Sequence, residues 1–225
     1  PPRSTLSSSS AASDVYKRQI LSFSSLLKNE LNGGLTPELS ETFKYIENGG
    51  NRLIRTIDLI LNASKSQNNQ YKIKLEEVDL NNDILKPIIK SMKDKADKKN
   101  ISIDLHVAEN HLRIVCDQYS ISQLFENLIE NAIKYTPKGS VKVSAYINSF
   151  GKLQVDIIDT GIGIAPQYIP KLFEPFTQEE QGYTRSYEGL GLGLSLVKNY
   201  ADLNNAEIKV ESEKDKGSVF SVIFN

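Results

Sequence analysis

One cysteine in 225 residues excludes an internal disulfide, so this fold must stand on packing and hydrogen bonds alone. The lone thiol accords with a reducing cytoplasm, and Cys116 reads as a small buried residue at the end of a strand. Net charge is nearly absent as well. The 27 Lys and Arg against 28 Asp and Glu leave −1 at neutral pH, which gives no electrostatic reason to expect nucleic acid or an anionic membrane as a partner. No apolar run is long enough to span a bilayer. The expectation is a cytoplasmic portion, and a full-length protein anchored in a membrane is compatible with it. Only two histidines occur, His106 and His111.

A hydrophobic content of 39% can bury a sizeable core, and the length suits one large or two small domains. The pattern along the chain favours two, residues 20–69 and 70–225, with 1–19 set apart. Pro1–Gln19 is Ser-rich and lacks periodicity, which reads plainly as a disordered tail. A sharper expectation also stands. Ser9–Gln19 matches the translation of a transposase adapter used to prepare DNA sequencing libraries. Pro1–Thr5 matches the flow-cell end of the same adapter in the same frame, with Leu6–Ser8 as the variable index. On that reading these residues are excluded from fold reasoning.

Ile20, Phe23, Leu26, Leu27 and Leu31 recur at helical spacing until Asn32-Gly33-Gly34 stops the helix. A second helix starts at Thr36-Pro37-Glu38, an N-cap followed by proline and an acid in the first turn. Its apolar residues Leu39, Phe43, Ile46, Leu53, Ile57 and Ile60 alternate spacings of three and four, with Gly50 in the seam. One short and one long helix cannot enclose a core, so an intermolecular four-helix bundle is the economical solution. Packing within one chain is the alternative.

After the Gln67–Gln70 turn, short strands are expected around 71–75 and 77–80. A helix over about 81–98 follows, then strands around 101–107 and 114–116. Mixed strands and helices indicate an α/β sandwich, giving an α+β chain overall with a mixed sheet. His106 alternates with Ser102 and Asp104 and is expected near solvent on a strand.

Four motifs then follow in order. The first, Asn127-Leu-Ile-Glu-Asn131-Ala-Ile-Lys134-Tyr135, lies on a helix over about 120–135 whose Ile121, Leu124, Phe125, Leu128, Ile129 and Ala132 face the core. Asn127, Asn131 and Lys134-Tyr135 fall three or four apart, so they share a stripe. Asparagine is costly mid-helix, and a neutral amide oxygen suits a hard cation such as magnesium. The second, Asp159-Thr160-Gly161-Ile162-Gly163, ends a strand. Its carboxylate can accept from the exocyclic amine of adenine, and its glycines let backbone approach a base. The third is Phe173-Glu-Pro-Phe176, whose residues read as two core aromatics beside a helix-ending proline, and which only the family resemblance that closes this series makes the hinge of a lid. The polar stretch 177–188 behind it suits a mobile loop, with Arg185 as a phosphate contact. The fourth, Gly189-Leu190-Gly191-Leu192-Gly193-Leu194, exposes backbone N–H groups before a helix, a phosphate-binding arrangement. Strands at 206–211 and 218–224 close the sheet.

This ordered set resembles the N, G1, F and G2 boxes of the catalytic ATP-binding domain of sensor histidine kinases, and the resemblance extends over nearly everything after residue 19. It implies ATP and Mg2+ as ligands, with Asn131 as magnesium ligand, Asn127 its helper, and Lys134 and Tyr135 reaching phosphate and nucleoside. It also implies a homodimer through the helical hairpin, and relay of the phosphoryl group to a response-regulator receiver domain. In that family the first helix carries His-Glu-Leu-Arg-Thr-Pro before the position matching Ile20. Here the adapter-like segment stands there, so the phosphoacceptor is expected to be absent and self-labelling lost. Neither His106 nor His111 is followed by the acid and leucine of that motif. Hydrolytic relatives such as gyrase carry glutamate four residues before the magnesium asparagine. Asn127 occupies that position and cannot act as a base. The readings in play are therefore a histidine kinase, a superfamily ATPase, and a nucleotide-binding scaffold without catalysis.

Overall fold

The computed structural model describes residues 42–43, 73–108, 112–178 and 191–225. The chain divides into two compact units, Pro1–Asn62 and Ala63–Asn225. In the first, Thr42 and Phe43 are helical and Phe43 is buried. The adapter-like segment, the rest of the helical hairpin, His111, Arg185, Gly189 and Leu190 lie outside the described residues.

The second unit is built on two sheets. Strand β1 (Leu75–Asp79) pairs antiparallel with β3 (Arg113–Asp117). Strands β2 (Ile101–Val107), β4 (Gly139–Ile147), β5 (Leu153–Asp159), β6 (Ala206–Glu213) and β7 (Gly217–Phe224) form the main sheet in the order β2-β4-β5-β7-β6. Its β2–β4 pairing is parallel and the others are antiparallel, so the sheet is mixed as expected. The parallel pair follows from its crossover, because helix α2 (Gln118–Tyr135) intervenes between β2 and β4.

Alternation decides which face is covered. Val141, Val143 and Ala145 on β4, Leu153, Val155 and Ile157 on β5, and Phe220 and Val222 on β7 are buried on one parity. The intervening Ser140, Lys142, Gln154, Asp156 and Ile158 are half-buried or exposed. Three helices cover the apolar face: α1 (Lys86–Asp97), α2, and α3 (Gly193–Leu203). Phe125 of α2 meets Phe224 of β7 at 6.4 Å between ring centroids, inclined by 45°, within the range where aromatic pairs attract beyond simple burial.

The structure amends the sequence reading in three places. Of the two strands expected around 71–75 and 77–80, the described residues 73–80 hold one, β1, since nothing in Leu75–Asp79 breaks the extended run. The helix after it opens with a π-helical turn, Leu80–Leu85, capped by the Asp79 carboxylate, which accepts from the N–H groups of Asn81 and Asn82. Strand β4 was not expected, although Val141-Lys-Val-Ser-Ala-Tyr-Ile147 alternates clearly. His106 is exposed on β2 and Cys116 is fully buried on β3, as read. Burial pushes the Cys116 thiol up to about 12, so it stays protonated. Among the described residues no helix is long and apolar enough to cross a membrane.

The C-terminal carbonyls of α2 need partners that the helix cannot supply. Lys99 supplies them: its ammonium donates to the carbonyls of Ile133 and Lys134 at 2.8 Å each, and of Thr136 at 3.5 Å. Replacing it with methionine (Lys99→Met) should lower stability by about 1 kcal/mol, a modest figure because the group is partly solvated. Urea unfolding with an unchanged midpoint would refute this capping role.

Candidate functional site

Helix α2 begins at Asp117, whose side chain accepts from the Ser120 N–H at 2.8 Å. It ends at Thr136, whose buried hydroxyl donates to the Ala132 carbonyl at 2.7 Å. Between these stops the apolar face named above is buried, which turns the Asn127–Asn131 stripe to the flank of the helix. Asn127 is buried and donates Nδ2 to the Gln123 carbonyl at 2.8 Å, so the cost of a mid-helix asparagine is partly met within the helix. Asn131, one turn on, is half-buried.

Three junctions bring the motifs together. The start of α3 lies against the asparagines, since a Cβ placed on Gly193 would sit 3.3 Å from Asn127 Oδ1 and 4.0 Å from Asn131 Nδ2. The loop after Asp159 is tied to the end of α2: the Ile162 N–H donates to the Tyr135 carbonyl at 3.1 Å. The Phe173–Phe176 segment meets the glycine-rich segment where the Phe176 N–H donates to the Gly191 carbonyl at 2.9 Å. Gly191 itself sits at φ +71 with backbone of Phe176 and Thr177 packed where a side chain would begin, a conformation and a proximity that only glycine tolerates.

Asp159, the last residue of β5, is buried and accepts from the Gly161 N–H at 2.8 Å. Burial raises its carboxyl above the ordinary value, while hydrogen bonds from Gly161 and from the backbone and hydroxyl of Ser218 pull in the opposite direction. At the far side Lys134 Nζ lies 3.2 Å from the Tyr135 hydroxyl and 4.7 Å from its ring centroid, a cation over an aromatic face. Leu192 is buried and precedes α3, and Leu194 is half-buried on its first turn. Phe173 is half-buried, whereas Phe176 is 72% exposed at φ +63, which rules out the reading of both as core aromatics.

The sequence reading missed two serines behind Asp159. Ser218 is buried beside the carboxylate. Ser212 lies 2.9 Å from the Ser218 hydroxyl, donates to the Gly217 carbonyl at 2.9 Å, and accepts from the Ile164 N–H at 2.8 Å. A signal was present. Ser218 falls on the inward parity of a strand whose other inward residues are Phe220 and Val222, and a buried hydroxyl there needs a polar partner.

The arrangement fits a magnesium nucleotide. It offers a buried acceptor at a strand end, amide groups on a helix flank, and an α-helix N-terminus facing those amides. No group of three or more His, Cys, Asp or Glu side chains able to hold a metal occurs among the described residues.

An α/β sandwich with these junctions defines a class of nucleotide-binding domain. Residues 116–225 match the family described as histidine kinase-, DNA gyrase B- and HSP90-like ATPase, and this chain carries a domain of that family. The chain is 33% identical over 213 residues to the autoinducer 2 sensor kinase/phosphatase LuxQ of Vibrio vulnificus, covering 89% of this chain and 24% of that protein. It is 33% identical over 205 residues to a sensor-like histidine kinase of Rhizobium meliloti, covering 90% of this chain and 39% of that one. The chain thus spans well under two thirds of the length of these relatives. Among solved structures, the catalytic domain of the histidine kinase ThkA superposes with a TM-score of 0.58 at 27% identity, covering 67% of this chain and 97% of that one. Full-length ShkA, solved in complex with AMPPNP, shares the fold with a TM-score of 0.75 at 24% identity, covering 96% of this chain and 44% of that chain.

Gly163 tests the rigidity of this site. It sits at φ +61, where an added Cβ would collide with the Glu213 carbonyl oxygen. Gly163→Ala should therefore cost about 2 kcal/mol or more by displacing the 159–163 loop from the β6–β7 hairpin. Wild-type stability in chemical denaturation would show that the loop has slack the geometry denies.

Proposed function

We propose that this chain is the nucleotide-binding and phosphoryl-transfer portion of a sensor histidine kinase, holding ATP with Mg2+ and directing its terminal phosphoryl group to a histidine. The observation that carries this reading is the set of three junctions Gly193–Asn127/Asn131, Ile162–Tyr135 and Phe176–Gly191, which fold four separated motifs into one cradle.

Bound ATP and magnesium would supply the phosphoryl group and a divalent charge. What remains falls to this chain's own groups, chiefly positioning and neutralisation. Asp159 accepts from the exocyclic amine of adenine, with Gly161 and Gly163 leaving room for the base. Asn131 and its neighbour Asn127 offer amide oxygens toward the metal, Lys134 offers charge to phosphate, and Tyr135 borders the nucleoside. The N–H groups of Gly189–Leu194 and the N-terminus of α3 receive the phosphates, with Arg185 as an added contact. Phe173 and Phe176 form the hinge of the lid. Hydrolysis is the disfavoured outcome, because Asn127 stands where an ATPase would need a carboxylate to activate water.

The unit 70–225 acts as the catalytic domain, and the hairpin of 20–69 as a dimerisation element that makes the protein a homodimer. The receiver domain of a response regulator is the downstream partner. ThkA has been crystallised with the response regulator TrrA, and its fold resembles this chain with a TM-score of 0.64 at 24% identity.

Calorimetry tests the pocket. ATP should bind with a magnesium-dependent component that Asn131→Ala removes, and Asp159→Asn should weaken binding with or without the metal. An ionised carboxylate is the stronger acceptor, and burial raises the proton affinity of this one above its ordinary value. Affinity for adenosine should therefore fall as pH is lowered, beginning before ordinary carboxylates titrate. Equal affinity for GTP would overturn the adenine assignment. For transfer, a chain whose residues 1–19 are replaced by a helix bearing His-Glu-Leu-Arg-Thr-Pro in register with Ile20 should acquire an acid-labile, base-stable label from radiolabelled ATP. Label that persists with Asn131→Ala would sink the kinase reading.

A further inference from the structure

Helices α2 and α3 run antiparallel, and both ends of α3 meet α2. Near the nucleotide cradle Gly193 lies against Asn127 and Asn131. At the opposite end the residue that terminates α3, Asn204, meets the start of α2. Its Oδ1 accepts from the Asp117 N–H at 2.8 Å, and its Nδ2 donates to the Ser120 hydroxyl and to the Tyr200 carbonyl, each at 2.8 Å. Asp117 and Ser120 are both buried. Asp117 caps α2 through the Ser120 N–H and also accepts, at 2.9 Å, from the N–H of Lys74 just before β1.

We infer that Asn204 is a positioning residue of the nucleotide site, pinning the end of α3 to the start of α2 so that the other end of α3 holds Gly193 against Asn127 and Asn131 further along α2. This rests on the reading of that cradle as the nucleotide site. The physical reason is leverage. Apolar contacts such as those of Leu196 and Val197 are non-directional and let helices slide or pivot, whereas two hydrogen bonds to α2 from one planar amide, itself tied to the Tyr200 carbonyl of α3, constrain both register and angle. Gly193 and Asn204 are separated by eleven residues, so the pin stands roughly 16 Å from the cradle at 1.5 Å per residue. A pivot of about 4° at that distance displaces the phosphate end of α3 by roughly 1 Å, enough to matter in a site that depends on placement.

Asp159 belongs to the sheet, not to α3, so its adenine contact should be indifferent to this pin. The two halves of the ligand can therefore be read separately. In the full 225-residue chain, held well below its melting temperature, Asn204→Ala should weaken magnesium-ATP binding by roughly tenfold. Adenosine affinity should change less than about twofold. Ser120→Ala, which removes one of the three bonds and leaves the Asp117 cap, should shift magnesium-ATP in the same direction by a smaller factor, and it decides the matter alone if the first variant does not fold. A purely structural role would lower the melting temperature and move neither affinity, and that result overturns the proposal. So does equal weakening of both ligands. A wild-type chain that binds neither ATP nor adenosine would instead overturn the nucleotide reading itself, and this inference with it.

Discussion

A helix leaves four N–H groups unpaired at one end and four carbonyls at the other, and in this protein the satisfaction of those groups on α2 determines where everything else goes. At its start the buried carboxylate of Asp117 takes the Ser120 N–H, and Asn204 of α3 takes the Asp117 N–H. At its end Lys99 and the Thr136 hydroxyl take carbonyls of the last turn, while the Tyr135 carbonyl takes the Ile162 N–H. The partners come from α1's exit, from the loop after β5 and from the end of α3. Capping one helix therefore assembles the walls of the site, and the chemistry inherits its geometry from a requirement of backbone hydrogen bonding.

Much of this was legible in the residues, and the reason differs by element. Helix α2 was readable because its apolar face keeps a clean helical period, and β2 and β5 because theirs alternate. The four motifs were readable because asparagine inside a helix and alternating glycines are locally costly, so their presence signals a return elsewhere. Strand β4 alternates as clearly as its neighbours and was still passed over. The π-helical turn at Leu80–Leu85 has no sequence period of its own and depends on tertiary packing. The roles of Lys99, Asn204, Ser212 and Ser218 could not be read for another reason. Each is an ordinary surface-type residue whose partner lies 34, 87, 48 or dozens of positions away along the chain, and a single sequence carries no statement of such pairings.

Asn127 shows how one position can divide two chemistries on a shared scaffold. Its side chain is committed to the helix through the Gln123 carbonyl on one side and faces Gly193 on the other. It cannot take a proton from water, so the pocket lacks the base that hydrolysis would require at that point. On the proposed reading, positioning without a base at that point would favour transfer to a nucleophile brought from elsewhere over attack by water.

Asp159 carries the opposite compromise. A carboxylate taken out of water is destabilising unless hydrogen bonds compensate, and here the Gly161 N–H and Ser218 offset burial only in part, leaving its affinity for a proton above the ordinary range. An aliphatic side chain at the end of β5 would sit there more comfortably. What the fold gains is an acceptor already desolvated, which on the proposed reading would lower the cost of receiving an amine. The partial compensation is itself useful: a carboxylate fully satisfied by protein donors would have little left to offer a ligand. Ser218 behind it, joined to Ser212, stabilises the charge without cancelling the effect of burial, and that remaining demand for a donor is what the proposed adenine contact would meet.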